Sequence, residues 1–176
     1  MKNKTIVVNL LGGPGACKSI LRAEVFAELK WNGVEVEEAL EYAKDRVWEG
    51  SFNVLENQLY IFGKQQHRMF RVRGKVNVIV TDSSLLNSII YDAKNDEDLR
   101  KVILNEFHKY DNVNIFLERD EASYNPVGRM QTLEQSKEID NQIKDMLKQY
   151  DIPYITMPAK RESRYTISEY ILKKLS

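Results

Sequence analysis

The sequence predicts an α/β fold: a five-stranded parallel sheet with helices on both faces. Two observations predict it. Short, β-branched apolar runs alternate along the chain with longer segments of helical period, and such alternation implies right-handed crossovers between parallel strands. The first of these runs, Ile6 to Leu11 with Asn9 its one polar member, ends on Gly12-Gly13-Pro14-Gly15-Ala16 and leads straight into an amphipathic helix.

Each element has its own signal. The first helix spans 18–31, with Leu21, Val25 and Leu29 at i, i+4 spacing and Asn32-Gly33 as its C-cap. Residues 34–36 alternate like a short second strand. Glu41 to Lys44 opens a helical stretch that closes near Gly50. Leu55, Leu59 and Phe62 give 52–72 the period of one long helix, broken at Arg73-Gly74-Lys75. A third strand, 76–82, ends on Asp82. Two helices follow, near 85–91 and over 97–110, the second capped by Asp96 and turning Leu99, Val102, Ile103 and Phe107 inward. Residues 113–117 form the fourth strand. A polar, turn-rich passage leads from there to a helix at 133–150 with Ile139, Ile143 and Leu147 on one face. Residues 154–157 make the fifth strand, and Ile167, Ile171 and Leu175 mark a closing helix.

Residues 12–19, GGPGACKS, match the phosphate-binding loop G-x-x-x-x-G-K-[ST] at every fixed position but one, where Cys17 replaces the second glycine. Gly12, Gly13, Gly15, Ala16 and Cys17 would offer backbone N–H groups to a phosphate, aided by the helix N-terminus. Lys18 would reach the β- and γ-phosphates and Ser19 would hold Mg²⁺. In a parallel sheet, ligands sit beyond the carboxyl ends of the strands. That rule gathers further candidates around the loop. Asp82 reads as a second magnesium-organising acid or as a helix cap. Glu41, with Glu37 as competitor, could accept a proton from an attacking hydroxyl. Arg119 and Arg129 bracket the polar segment after the fourth strand, where a lid guanidinium could meet transferring phosphate. Gln58, Gln65 and Arg68 lie near one face of the long helix, as an acceptor-binding wall or as solvated surface.

Bulk properties exclude several classes. The 176 residues carry 26 Lys plus Arg against 26 Asp plus Glu. With zero net charge there is no broad field to draw duplex nucleic acid or an anionic membrane. The single cysteine excludes an internal disulfide and fits a reducing compartment. No apolar run approaches the roughly 20 residues of a membrane span, and the polar start leaves no room for a signal peptide. The expected location is cytoplasmic.

GGPGACKS, EYAKDRVWEG, LENQLYIFGKQQHR, VIVTDSSLL and FLERDEASYNPVGRMQT together resemble small P-loop nucleoside/nucleotide-kinase-like proteins found widely in tailed phages. Those proteins are often labelled AAA-type ATPases and are similar to the ribosylnicotinamide kinase domain. The resemblance runs from Ile6 to about Tyr154. It implies a P-loop NTPase fold, a nucleotide-kinase-like three-layer sandwich forming one domain over 1–176, with a lid at about 118–132. It also implies ATP and Mg²⁺ served by Lys18 and Ser19, Asp82 on metal or acceptor, and Arg119 with Arg129 in the lid. A phage origin would place the protein in the host cytoplasm. The chain lacks an N-K-x-D base-reading motif and is too short for a AAA ring subunit with a helical lid domain. A small acceptor such as a nucleoside or nucleotide is the leading partner. The alternatives are a non-catalytic nucleotide- or partner-binding protein and a kinase of nucleic acid, the latter resting on Arg68, Arg71, Arg73 and Lys75.

Overall fold

The computed structural model describes residues 5–120 and 132–176. Five strands form one parallel sheet: β1 (Ile6–Leu11), β2 (Val36–Ala39), β3 (Val78–Thr81), β4 (Asp111–Glu118) and β5 (Ile155–Pro158). Their spatial order is β2-β3-β1-β4-β5, with every pairing parallel. The α/β expectation therefore holds. The chain leaves β1 toward β2 and β3 on one side, then returns to β4 and β5 on the other. The carboxyl end of β1 is thus the topological switch point, the place where such sheets open a crevice for ligands.

Strand period divides the core in two. Val7, Leu11, Ile79 and Phe116 face one way and pack against α4 (Gln58–Phe70), α6 (Glu97–Phe107) and α7 (Leu133–Gln149). Val8, Leu10, Val78, Val80 and Ile115 face the other way, against α1 (Lys18–Trp31) and α8 (Ser163–Leu175). All six residues of β1 are buried, which accounts for its continuous apolar run. Its polar member, Asn9, stands opposite Asn114. The Asn9 side-chain amide donates to the side-chain oxygens of Asn112 and Asn114, each at 3.0 Å. Those donors are spent within the sheet.

Several boundaries move, each for a local reason. β2 starts at Val36 rather than 34 because Val34 still belongs to the end of α1. Val34 N–H donates to Leu29 O and Gly33 N–H to Lys30 O, with Gly33 at φ +76°: a Schellman closure. The helix expected over 52–72 is two, α3 (Phe52–Leu55) and α4. Asn57 interrupts them by accepting a hydrogen bond from Tyr60 N–H at 3.2 Å, as an N-cap does. The inward row of α4 is consequently Gln58, Ile61, Phe62, Gln65 and Met69, and Leu59 is exposed. Val102 on α6 is likewise exposed, since the buried row there is Leu99, Ile103 and Phe107. The helix near 85–91 contracts to α5 (Asn87–Ile90), and α2 covers Tyr42–Trp48. Asp96 caps α6 as expected, accepting from Asp98 and Leu99 N–H. Thr132 and Gln135 close a capping box on α7.

Cys17 sits at the N-cap of α1 at φ 52°, ψ 17°, and its side chain makes no capping bond. This is the left-handed region, which costs a non-glycine residue about 1–2 kcal/mol. Part of that is offset in glycine by a more disordered unfolded chain. Cys17→Gly should therefore raise unfolding stability by up to about 1 kcal/mol, measured by urea denaturation.

Candidate functional site

The loop between β1 and α1 is shaped by one lysine and one glycine. Lys18 turns back and donates to Gly12 O at 2.6 Å and Gly13 O at 2.9 Å. An ammonium has three protons, so both loop carbonyls are held while one donor remains. Burial draws Lys18 below the ordinary lysine value, against the opposing pull of Glu41, Asp82 and Asp140 and with Arg119 adding to the lowering. Gly13 lies so close to α7 that a Cβ there would collide with the carbonyl oxygen of Ser136. Only glycine permits that approach.

The outer side of the loop is fixed by a buried ion pair. Asp140 on α7 accepts from Gly13 N–H at 2.6 Å, and its other oxygen lies 2.6 Å from Arg119 Nη2 and 2.8 Å from Arg119 Nε. Arg119 also donates to Pro14 O at 2.8 Å and Ser136 O at 3.2 Å. Its side chain is 6% exposed. This corrects the lid expectation for Arg119: all three guanidinium nitrogens are engaged with the loop and α7, so it braces the loop from behind. Arg129 and most of the expected lid lie outside the described residues.

On the inner side the loop borders a cleft of about 700 Å³, within the usual size of small-molecule sites. Gly12, Gly15, Cys17, Lys18 and Ser19 line it together with Glu41, Asp82, Gln58, Gln65 and Tyr91. Three expected groups thus meet at the switch point: the loop, the acid after β2 and the acid after β3. Ala16 is buried behind the loop. Burial pushes the Glu41 carboxyl above the ordinary glutamate value; Lys18 opposes this and Asp82 adds to it. Tyr91 is pushed up to about 12, chiefly by burial and then by Glu41 and Asp140.

Asp82 is buried; one carboxylate oxygen accepts from Arg22 Nε at 3.2 Å, and the other has no hydrogen-bond partner among the described residues. A buried carboxylate oxygen without a donor is costly. With the Ser19 hydroxyl on the same cleft, this hard oxygen set fits a divalent cation such as Mg²⁺. The chain's residues fit that group, and Ser19 with Asp82 would hold it.

The helix wall divides. Gln58 and Gln65 line the cleft; Gln65 accepts from Tyr42 N–H at 2.9 Å, while its Nε2 has no partner among the described residues. Arg68 does not join them. It pairs with Asp45, donates to Leu40 O and lies over the Tyr42 ring, because its position on α4 faces α2. Glu37, the competitor to Glu41, lies 3.9 Å from Lys30 at the surface.

Sequence reasoning missed Asp140, Arg22 and Glu38. Asp140 had a readable signal. Ser136, Ile143 and Leu147 are buried on α7, and Asp140 falls on the same row at helical spacing, an acid on a core-facing stripe. Asp140→Ala should cost about 3–5 kcal/mol in urea denaturation, because Arg119 is left buried and unpaired. Adding Arg119→Met should recover part of the loss.

The fold is shared with solved proteins. The NadR protein in complex with NR superposes with a TM-score of 0.69 at 12% identity, covering 97% of this chain and 52% of the other. The chain therefore spans about half the length of NadR. Deoxyadenosine kinase from M. mycoides with bound dATP superposes with a TM-score of 0.59 at 19% identity, covering 96% and 98% of the two chains. At these identities the likeness is one of fold. No curated protein sequence matches. The AAA domain family, however, matches residues 7–164, from β1 through all five strands to the start of α8, and the chain belongs to that family.

Proposed function

We propose that the chain is a Mg·ATP-dependent kinase that moves the γ-phosphoryl group of ATP to a hydroxyl of a nucleoside, nucleotide or similar small acceptor. We extend this to a single kinase-like domain over 1–176 with a lid around 118–132. The observation that carries the reading is the meeting of Lys18, Ser19, Asp82 and Glu41 on one cleft at the switch point. Structural likeness to NadR in complex with NR and to a deoxyadenosine kinase supports a nucleoside-type acceptor.

Each residue has a distinct task. Glu41 accepts the proton of the acceptor hydroxyl as its oxygen bonds to phosphorus, and the bond from phosphorus to the β-phosphate bridging oxygen breaks. A base with a raised carboxyl pKa is better matched to that transfer near neutral pH. Lys18 and the loop N–H groups hold the phosphates in line, the electrostatic share of such catalysis. Bound Mg²⁺ supplies positive charge to the phosphate oxygens, and Ser19 with Asp82 would hold it. With Arg119 engaged behind the loop, Arg129 is our candidate for a guanidinium on the transferring group. Gln58 and Gln65 form the acceptor wall.

A second reading has one observation in its favour: the left-handed backbone at Cys17, a residue where the motif has glycine. A loop so altered could bind nucleotide or a partner without turnover. For the nucleic-acid reading, Arg68 is paired with Asp45, while Arg71, Arg73 and Lys75 are exposed, Arg73 lying over the Tyr110 ring.

Lys18→Ala should abolish the rise in melting temperature that ATP gives the wild type. An ATP shift that survives the substitution would overturn the phosphate-loop assignment. Glu41→Gln separates catalysis from stability. A carboxyl whose pKa rises on folding favours folding fully below its unfolded value of 4.5 and loses that contribution as pH climbs through the folded value. The Glu41→Gln variant should therefore melt higher than wild type at pH 7, by a margin that shrinks toward pH 4.5, while turnover falls by about 10²-fold or more.

A further inference from the structure

Two carboxylates on neighbouring strands share one arginine. β2 and β3 pair with Glu38 opposite Val80, so strand period places Glu38, Val80 and Asp82 on the same sheet face. Val80 packs in the layer formed with Leu21 and Val25 of α1, which identifies that face as the one α1 covers. Arg22, one turn beyond Ser19 on α1, meets both acids there. Its Nη1 pairs with Glu38 Oε1, and its Nε donates to Asp82 Oδ2 at 3.2 Å. The Arg22 side chain is 13% exposed and that of Asp82 7%, so the contact is screened little by solvent.

The two ends of Arg22 act differently on Asp82. The Nε bond occupies Oδ2 and fixes the carboxylate plane, while Oδ1 is left with no partner among the described residues. Arginine prefers to grip a carboxylate by two parallel bonds. Here Nε holds only Oδ2, while Nη1, on the other side of the guanidinium, pairs with Glu38. Without Arg22, Asp82 and Glu38 would face each other as like charges on adjacent strands, with nothing to orient Asp82.

We propose that Arg22 is a positioning residue, anchored by Glu38, that takes up one oxygen of Asp82 and presents the other to a divalent cation. It touches neither nucleotide nor acceptor. This rests on the kinase reading above only in needing a cation at Ser19 and Asp82. Partners that orient a metal-binding carboxylate commonly change metal affinity by about 10–100-fold when removed.

The test titrates Mg²⁺ against the ATP-dependent rise in melting temperature, with no acceptor present. In Arg22→Met the Mg²⁺ midpoint should rise about tenfold or more, while the shift given by ATP in EDTA persists. Arg22→Lys, which keeps a cation between the acids, should recover most of the loss. Glu38→Ala should also raise the midpoint, because Arg22 loses the anchor that holds its Nε on Oδ2 of Asp82; this variant decides the matter if Arg22→Met fails to fold. A folded Arg22→Met with an unchanged midpoint, or an Arg22→Lys as defective as Arg22→Met, would overturn the proposal. So would a Glu38→Ala that binds Mg²⁺ as wild type does. Absence of any ATP shift in wild type would instead strike the kinase reading itself.

Discussion

The site depends on a single buried ion pair, Asp140 with Arg119. A phosphate loop must hold several N–H groups convergent before any phosphate arrives, and a glycine-rich segment has the least intrinsic tendency to stay in one shape. Asp140 and Arg119 supply that constraint from outside, one gripping Gly13 N–H and the other Pro14 O. Lys18 supplies it from inside, through Gly12 O and Gly13 O. The loop is thus clamped between an acid on α7 and its own lysine, which frees the remaining loop donors for a ligand. Arg119 follows β4 and Asp140 lies on α7, so the two groups that brace the loop come from different elements.

Charge arrangement around the cleft runs against stability. Lys18 is drawn below its usual value by burial and Glu41 is raised above its own; Asp82 keeps an oxygen without a donor among the described residues. That Asp82 oxygen is a buried acceptor without a donor, which an apolar group of similar shape would relieve. The left-handed Cys17 adds backbone strain at the same place. Two shifted titrations and an unpartnered carboxylate oxygen on one cleft are the pattern expected of a site shaped for a charged ligand.

Much of this was legible in the sequence where a residue type has one common use. An apolar run, a glycine-rich turn and Lys-Ser at the right offset located β1, the loop and α1 together. Asp82 and Glu41 were found because strand ends converge in parallel sheets. What escaped depended on side-chain direction across distant elements. Nothing local distinguishes Arg119 bracing a loop from Arg119 reaching a phosphate; the difference lies in Asp140, 21 residues away. Arg22 and Glu38 read as ordinary charges until α1 is laid on the β2–β3 face. The break at Asn57 was hidden because Leu55, Leu59 and Phe62 continue a helical period through it, while the cap acts through one side-chain oxygen.

The central claim is that this cleft transfers phosphate rather than merely binding it. The direct measurement is the fate of γ-labelled ATP incubated with Mg²⁺, the wild-type protein and a panel of nucleosides and nucleotides. The account predicts Mg²⁺-dependent label in a phosphorylated acceptor. Label released only as inorganic phosphate, or ATP bound and left intact with every acceptor, would contradict it.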